Sequence, residues 1–349
     1  MAGKETRGAV TLKQVAETCG VSLPTVSHVL GNRGHRYSDA TRRRVYDTAQ
    51  RLGYRTNAAA RATASGKFNN IALLQGTSKW ASSLPAETLG GIHDALTEQG
   101  MHLTVAKVAD EKLTNPDYVP RILRQWMCDG LLINYHAMIP ERLIELVHDN
   151  ALPSVWLNCK MDQDCVHPDD LGAGRTATEQ LLEAGHRRIA YVDTGLDISR
   201  ENGTLHYSRL DRLAGYREAM NGAGLQTSVV TDERRAQGSL VDFLVAWLRL
   251  DDRPTAIVAN SRIDVDTIRL IAARVGIWGP NQLSLITFGQ EDTSPSELRI
   301  TTWLVPHRDI ANEGVAMLMQ KIAEPTKRLN PCAVPFTLDP GVTIASPAS

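Results

Sequence analysis

The stretch Val10–Leu30, VTLKQVAETCGVSLPTVSHVL, has the pattern of two short helices joined by a tight turn. Val15 and Cys19 lie on one apolar helical face, and Gly20 is suited to the left-handed conformation that ends a helix. Two helices joined by a turn containing glycine are typical of the helix-turn-helix unit, which places its second helix in the major groove of DNA.

The second helix of this stretch carries both the signals that start a helix and a polar face. Ser22 can cap it, and Pro24 in its first turn loses no intrahelical hydrogen bond. The polar face carries Thr25, Ser27 and His28. A helical hairpin with no role in DNA binding would show the same periodicity, so the pattern alone leaves both interpretations open.

The charge distribution favours DNA binding. Residues 1–67 contain 12 Lys and Arg and 4 Asp and Glu, a net charge of +8, whereas the whole chain carries −1 and the remainder therefore −9. A basic segment joined to an acidic body is typical of a phosphate-binding module fused to another domain.

A third helix and a linker are predicted after the hairpin. Ser38 can cap a helix over Asp39–Leu52 that ends at Gly53. Asn57 can cap a short alanine-rich helix, NAAARATAS, which is too short to be stable alone because helix nucleation is costly. We therefore predict a helix-turn-helix domain over residues 1–56 and a linker over residues 57–68.

From Asn69 onward, short apolar runs alternate with amphipathic segments of helical length. The predicted strands are Ile71–Leu74, His102–Val108, Gly130–Asn134, Ser154–Leu157, Arg188–Val192, Ala256–Ala259, Leu283–Phe288 and Thr301–Val305. The predicted helices are Pro85–Gln99, Tyr118–Trp126, Glu141–Asp149, Leu171–Ala184, Arg209–Ala223, Leu240–Arg249, Arg262–Val275 and His307–Ala323. This alternation predicts an α/β body of two lobes, each a doubly wound parallel sheet covered by helices.

Composition limits the compartment and the chemistry. The longest apolar runs are shorter than a membrane span, and the charged start MAGKETRGAV predicts no secretory signal, so we expect a cytoplasmic protein. The five cysteines have no metal-ligand spacing and are expected to be reduced structural thiols. The stretch GAGRTAT over residues 172–178 lacks the full phosphate-loop and dinucleotide-binding patterns, so no enzyme, metal site or cofactor is predicted.

The hairpin, the segment TRRRVYDTAQRLGYRTNAAARATASGK and the order of elements that follows resemble the LacI/GalR-type (lac-repressor) family of bacterial transcription regulators. The resemblance covers essentially the whole chain. It implies a periplasmic-binding-protein-like (type I) core over residues 69–349. Its first lobe is expected at about 69–167 and 303–327, and its second at about 168–302 and 328–349. It also implies a homodimer on a pseudo-palindromic operator, with a small effector, a sugar or another metabolite, between the lobes.

The resemblance also implies which residues contact DNA. Those expected near base edges or phosphates are Thr11, Leu23, Pro24, Thr25, Ser27, His28, Asn32, His35, Tyr54, Asn57, Ala60, Arg61 and Thr63. Leu23 and Pro24 stand where the family reads bases, and they can only contact thymine methyl groups. Thr63 takes the place of the family's minor-groove leucine, so insertion between base steps and a purely flexible tether both stay open.

Effector contacts are expected just after the strands, because ligands of such folds bind beyond the carboxyl ends of parallel strands. The candidates are Trp80, Leu84, Pro85, Thr88, Asn158, Arg212, Asn260, Gly289, Trp303 and Val305. Arg212 and Asn260 match the family's cleft arginine and asparagine, although an arginine here can also be a surface ion-pair partner. Gly289 and Val305 replace polar family residues, which predicts a less hydroxylated or partly aromatic ligand.

Taken together, the sequence predicts an effector-controlled transcription regulator, most simply a repressor, and not an enzyme. The rival interpretation is an exported sugar-binding protein with the same core fold. The basic N-terminal segment argues against it.

Overall fold

The computed structural model describes residues 10–31, 34–56, 62, 65–78, 82–125, 127–233, 238–291 and 299–348. Asn57, Ala60, Arg61 and Thr63 of the predicted alanine-rich helix lie outside these residues, as do Asn32 and Trp80. The chain divides into two compact units, one ending at Phe68 and one beginning at Asn69.

Within residues 10–31 and 34–56, the first unit has three α-helices, as the sequence predicts: α1 (Leu12–Cys19), α2 (Leu23–Leu30) and α3 (Asp39–Leu52). The side chain of Thr11 accepts a hydrogen bond from the Gln14 backbone, and Gln14 returns one, which forms a capping box at the start of α1. Gly20 and Gly53 end α1 and α3 in the left-handed conformation. The helices bury a small apolar core of Val15, Ala16, Cys19, Val26, Val29, Val45 and Ala49.

In the described part of the second unit, the strands form two six-stranded sheets, each the centre of one lobe. Its strands are β1 (Asn70–Gly76), β2 (His102–Val108), β3 (Gly130–Asn134), β4 (Ser154–Leu157), β5 (Cys165–Pro168), β6 (Ile189–Asp193), β7 (Ser228–Thr231), β8 (Ala256–Ala259), β9 (Ser284–Gly289), β10 (Thr301–Leu304), β11 (Cys332–Val334) and β12 (Thr337–Asp339). Its helices are α4 (Ala86–Glu98), α5 (Arg121–Arg124), α6 (Glu141–Asp149), α7 (Asp170–Glu183), α8 (Leu196–Glu201), α9 (Tyr207–Gly222), α10 (Leu240–Trp247), α11 (Arg262–Arg274) and α12 (His307–Ala323).

The strand order is β11-β5-β4-β3-β1-β2 in the first sheet and β12-β10-β9-β8-β6-β7 in the second. All neighbouring strands pair in parallel except β12, which runs antiparallel to β10. Each sheet has an apolar cluster on both faces, as expected for a doubly wound sheet whose strands are buried on both sides. The predicted two-lobed α/β architecture is thereby confirmed.

The structure corrects the predicted lobe boundary near the C-terminus. Residues 328–349 were all expected in the second lobe, but β11 pairs with β5 in the first sheet and only β12 joins the second. The chain therefore crosses between lobes after β5, after β10 and again between β11 and β12. The last crossing was missed because both strands have only three residues and include exposed positions, which leaves little apolar periodicity.

Other elements were also missed or shortened. The strands β5 and β7 and the helix α8 were not predicted, since each is short and mixes polar with apolar residues. The helix expected over Tyr118–Trp126 spans only Arg121–Arg124. Pro120 explains its late start, because a proline disfavours the helical conformation in the residue before it.

Candidate nucleic-acid interface and effector cleft

The predicted recognition helix α2 buries one face and exposes the other. Val26 and Val29 are fully buried, whereas Ser27 is exposed and 47% of the Leu23 surface is accessible. The hydroxyl of Ser22 accepts a hydrogen bond from the Thr25 backbone and caps the helix. The exposed first turn and polar face are thus available to a groove of DNA.

His28 is held in place by a neighbouring phenol. Its Nδ1 lies 2.9 Å from the hydroxyl of Tyr37, which itself packs against the core of the first unit. This hydrogen bond occupies Nδ1, so a contact between His28 and a base would use Nε2. An imidazole contributes one hydrogen bond there, where an arginine would contribute two.

The structure presents most of the described DNA candidates at the surface. Thr11, Leu23, Pro24, Ser27 and His35 are exposed, and Thr25, His28 and Tyr54 are partly buried. The ring of Tyr54 packs against the small apolar core, and burial raises its pKa. Because the ring of Tyr54 also supports the fold, only its exposed part is available for a contact with DNA.

The second unit contains a cavity of about 500 Å³ between its lobes. It is lined by Ser83, Pro85, His136, Asn158, Ser199, Thr204, His206 and Arg209. The first four come from lobe 1 and the last four from lobe 2, so any molecule in the cavity would contact both lobes. Pro85 and Asn158 were predicted from the sequence to lie here.

Two imidazoles, one from each lobe, meet in this cavity with ring centroids 5.2 Å apart. His136 Nε2 accepts a hydrogen bond from the backbone N–H of Ser83 at 2.8 Å, and His206 Nε2 lies 3.1 Å from the carbonyl oxygen of Asn158. Burial lowers the pKa of each to about 4, helped at His136 by the neighbouring His206. Both rings are therefore neutral at pH 7.

Arg209 lines the cavity and forms an ion pair with Asp193, whose side chain is fully buried. Burial raises the pKa of Asp193 to about 6, even though the charge of Arg209 acts in the opposite direction. Asp193 is thus still mainly ionised at pH 7, and the pair is neutral as a whole.

Arg212 lies beside the cavity, bound to protein groups on several sides. Its Nε donates to Oδ1 of Asp170 at 2.7 Å, and its NH1 donates to the backbone oxygen of Asn260 at 3.0 Å. The guanidinium also stacks over the ring of Phe288, 4.8 Å from its centroid, and faces the ring of Phe336 at 5.7 Å. Burial raises the pKa of Asp170 despite the opposing effect of Arg212.

The remaining described effector candidates do not line this cavity. Thr88 Oγ1 lies 3.4 Å from His307 Nδ1, and the Asn260 side chain accepts a hydrogen bond from Tyr191. Gly289 lines a different cavity of about 500 Å³ beside the start of α11. Leu84, Trp303 and Val305 are partly buried near the apolar cores of the two lobes.

Sequence reasoning missed most of the cavity lining: Ser83, His136, Ser199, Thr204, His206 and Arg209. His136 follows the end of β3 by two residues, so the rule that selected Asn158 applies to it as well. His206 immediately precedes α9, and Arg209 lies in its first turn. The segment before α9 has no periodic pattern, so the sequence does not predict that these two side chains reach the cavity.

In the part of the chain that the structure describes, no helix combines the length and the apolar character that crossing a membrane requires. Nor do three or more His, Cys, Asp or Glu side chains gather there in an arrangement suited to a metal ion.

Comparison with known families matches both units. The profile of the "Bacterial regulatory proteins, lacI family" matches residues 11–57, and that of the "Periplasmic binding proteins and sugar binding domain of LacI family" matches residues 82–328. The latter covers more than half of the chain.

Individual relatives agree with the profiles. The chain is 27% identical over 321 residues to the probable HTH-type transcriptional regulator EndR of Paenibacillus polymyxa, covering 89% of this chain and 90% of that protein. It is 26% identical over 322 residues to the HTH-type transcriptional repressor PurR of Photobacterium profundum, covering 90% of this chain and 92% of that protein.

Among solved structures, the lac repressor dimer bound to operator and the anti-inducer ONPF has the same fold. Its TM-score is 0.71 at 21% identity, with 97% of this chain and 99% of that chain covered. A complex of the transcriptional regulator CelR with cellobiose gives a TM-score of 0.58 at 24% identity, covering 96% and 99%. From the profile matches, the chain belongs to the LacI family of bacterial DNA-binding transcription regulators and is not an enzyme.

Proposed function

We propose that this regulator binds a pseudo-palindromic operator as a homodimer and that a small molecule between the lobes changes its affinity for DNA. The observation that carries the proposal is the presence, in one chain, of an exposed recognition helix and of a cavity lined by residues of both lobes. We expect a repressor located in the cytoplasm, where its DNA is.

The exposed residues of the recognition helix support recognition of DNA bases through few hydrogen bonds. Leu23 and Pro24 can contact thymine methyl groups, and His28 can bond one acceptor of a guanine. Thr11, Ser27 and His35 are exposed and suited to phosphate contacts, which fix the register without reading sequence. Asn32, Asn57, Ala60, Arg61 and Thr63 stay predictions from the sequence.

Two exposed aliphatic side chains on α11 support the homodimer. Ile263 and Leu270 are 74% and 75% exposed, and their spacing of seven residues places them on one helical face. Replacing both with aspartate should shift the protein from dimer to monomer in sedimentation velocity. The control is Leu250→Asp, which changes an exposed leucine outside α11. An unchanged dimer in the double variant would exclude this surface as the interface.

The cavity supports allosteric control because its lining is divided between the lobes. Lys160 pairs with Asp211 across the same boundary, and His206 reaches the Asn158 carbonyl. A bound molecule that favours one lobe arrangement would shift the population between two states. Typical coupling changes DNA affinity by about 5–150-fold, and its sign distinguishes an inducer from a co-repressor.

The deciding experiment is a selection of bound duplexes from a random pool with the full chain. We expect a symmetric sequence whose half-sites are about one or more helical turns apart, and an affinity that falls with added salt. Removing residues 1–67 should abolish DNA binding. Selection of no symmetric duplex, with salt-independent binding, would instead favour a sugar-binding protein without a regulatory role.

A further inference from the structure

The positive charge of the first unit lies outside its recognition helix. The helix α2 contains no lysine, arginine, aspartate or glutamate, and Lys13 of α1 lies 3.9 Å from Glu17. By contrast, α3 carries four arginines: Arg42, Arg43, Arg44 and Arg51. Of the three helices, α3 is therefore the one that concentrates cations suited to DNA phosphates.

Three of these arginines line a groove that α3 forms with α1, which we call the α3 groove. Its volume is about 620 Å³, and its lining consists of Thr18, Ala40, Arg43, Arg44, Asp47, Thr48 and Arg51. None of these lining residues belongs to α2.

The α3 groove lies on the side of α3 opposite the one that contacts α2. Tyr46 marks the side towards α2, because its hydroxyl donates a hydrogen bond to the Val29 carbonyl. With 3.6 residues per turn, Arg44 and Arg51 lie about 160° and 140° around the helix from Tyr46. A molecule in the groove and a duplex read by α2 would therefore contact different sides of the unit.

The α3 groove has an excess of positive charge. Its lining carries three guanidinium groups against one carboxylate, that of Asp47, and all four of these residues are exposed. Among the residues that the structure describes, none of the three arginines forms an ion pair, whereas Arg42, outside the groove, pairs with Asp39. The positive charge of the groove is therefore available to an anion from outside the chain.

The spacing of the arginines favours a polymeric anion. Arg44 and Arg51 are seven residues apart, which corresponds to about 10 Å along the helix axis. A polyanion with regularly spaced charges can contact both, and each strand of DNA carries one charge about every 3.4 Å along the duplex axis. A guanidinium also suits phosphate oxygens, since it presents a rigid fork of donors.

We propose that the α3 groove is a second DNA-binding surface, which holds the phosphate backbone of a separate duplex while α2 contacts the operator. A flank of the operator duplex is less suited, because it would have to bend around α3 and bending DNA costs elastic energy. The contacts would be to phosphates alone, so binding should be independent of sequence and fall with added salt. This inference rests on the proposed operator contact for the first duplex and adds a second.

The test measures energy transfer between a donor-labelled operator duplex and an acceptor-labelled duplex without a symmetric site, in the presence of the full chain. Transfer reports only complexes that hold both duplexes. We expect the second duplex to bind in the range of ordinary non-specific affinities, with a dissociation constant of about 10⁻⁴–10⁻⁶ M.

The triple variant Arg43→Gln, Arg44→Gln and Arg51→Gln should lower the association constant of the second duplex at least about tenfold. It should also make the slope of log affinity against log salt less negative by about 2–3, as expected for the loss of that many phosphate contacts. Circular dichroism establishes that the variant is folded.

Asp47→Asn gives the converse measurement, because it removes the carboxylate of the groove lining. It should raise the association constant of the second duplex about 2–5-fold, the usual size of one exposed charge interaction. A merely structural role of the groove would not produce this gain.

The matched control removes the same charge from exposed positions of the second unit, with Arg217→Gln, Arg249→Gln and Arg269→Gln. It should leave capture of the second duplex unchanged. Absence of energy transfer in the wild type, or equal capture by the wild type and the folded groove variant, would overturn the proposal. So would groove variants that weaken binding only to operator duplexes with long flanks, since the occupant would then be flanking DNA.

Ser27→Asp separates this proposal from the proposed function, because it places a carboxylate on the exposed face of α2. It should weaken operator binding, while the remaining sequence-independent binding of DNA should still depend on the groove arginines. If no symmetric operator is selected, the proposed function fails, and the effect of the groove arginines on binding to any duplex is still measured in this variant.

Discussion

Gly174 of α7 packs directly against the backbone carbonyl of Arg212 in α9. A Cβ atom added at Gly174 would overlap that carbonyl, and one added at Gly215 would overlap the carbonyl of Leu171. The two helices thus approach backbone to backbone, which fixes the part of α9 that carries Arg212. Only glycine allows this distance, because the obstacle is main chain and cannot rotate away.

The first prediction follows from this contact. Gly174→Ala should reduce the free energy of unfolding by about 1–3 kcal/mol, the usual cost of overpacking a rigid core. Gly90→Ala is the control, since Gly90 also lies in a helix but a Cβ there meets no atom within 4 Å. It should be neutral or stabilising by up to about 1 kcal/mol. Urea unfolding measures both, and equal effects would contradict the close approach.

The buried ion pair gives the second prediction. The side chains of Asp170 and Arg212 are 0% and 12% exposed, so Arg212→Met should reduce the free energy of unfolding by about 3–5 kcal/mol by leaving a buried carboxylate unpaired. Arg175→Met breaks a pair with Glu218 whose side chains are about half exposed, and should change it by about 0–1 kcal/mol. Similar losses in the two variants in urea unfolding would show that the Asp170 pair contributes little.

Much of the fold can be predicted from the sequence, because long apolar strands and amphipathic helices show their periodicity in the amino-acid sequence. The strands β2, β3, β4 and β8 match their predicted bounds. The three-residue strands β11 and β12 are not among the predicted strands, since their place depends on partners far away in sequence.

The candidate site likewise contains some residues that the sequence predicts and others that it does not. Asn158 is predictable because it follows a buried strand, and it lines the cavity. His206 reaches the cavity by a hydrogen bond to a residue 48 positions away, and no local pattern indicates such a contact. The hydrogen-bonded ion pair between Arg212 and Asp170 likewise depends on the packing of α9 against α7, and neither segment alone predicts it.

Acid should destabilise the second unit through its buried histidines. The pKa of His206 is about 4 when folded, below the ordinary value of 6.5, so between these values the unfolded chain binds more protons and stability falls as pH falls. The loss approaches about 3 kcal/mol for a shift of this size. Asp193, whose pKa is raised to about 6, acts in the opposite direction over part of this range.

His206→Asn isolates the histidine contribution, because Asp193 is present in both proteins. Urea unfolding at pH 7.5 and pH 5 should show a smaller loss of stability in the variant than in the wild type. His93→Asn, at an exposed histidine, should retain the wild-type loss. An identical pH dependence in all three proteins would mean that folding does not lower the pKa of His206.

Arg55 tests the electrostatic part of DNA binding. It is exposed shortly after α3 in the first unit, and Arg55→Ala should weaken binding to all duplexes alike. The slope of log affinity against log salt should become less negative by about 1, as expected for one lost phosphate contact. Arg249→Ala removes an exposed arginine of the second unit and should leave the slope unchanged. A change in sequence preference in Arg55→Ala would instead assign Arg55 to base reading.

Tyr37 offers a direct test of how His28 is positioned. Tyr37→Phe removes the hydroxyl that lies 2.9 Å from His28 Nδ1 and leaves the ring in the core. A hydrogen bond of this kind contributes about 0.5–1.5 kcal/mol, so the ratio of operator to non-specific affinity should fall by about 2–10-fold. Tyr46→Phe is the matched control, because it also removes a phenol hydroxyl from the first unit, one that donates to the Val29 carbonyl and not to His28. If both variants lower the ratio equally, the loss reflects the stability of the small helical unit; if only Tyr37→Phe lowers it, His28 reads its base from an orientation fixed by Tyr37.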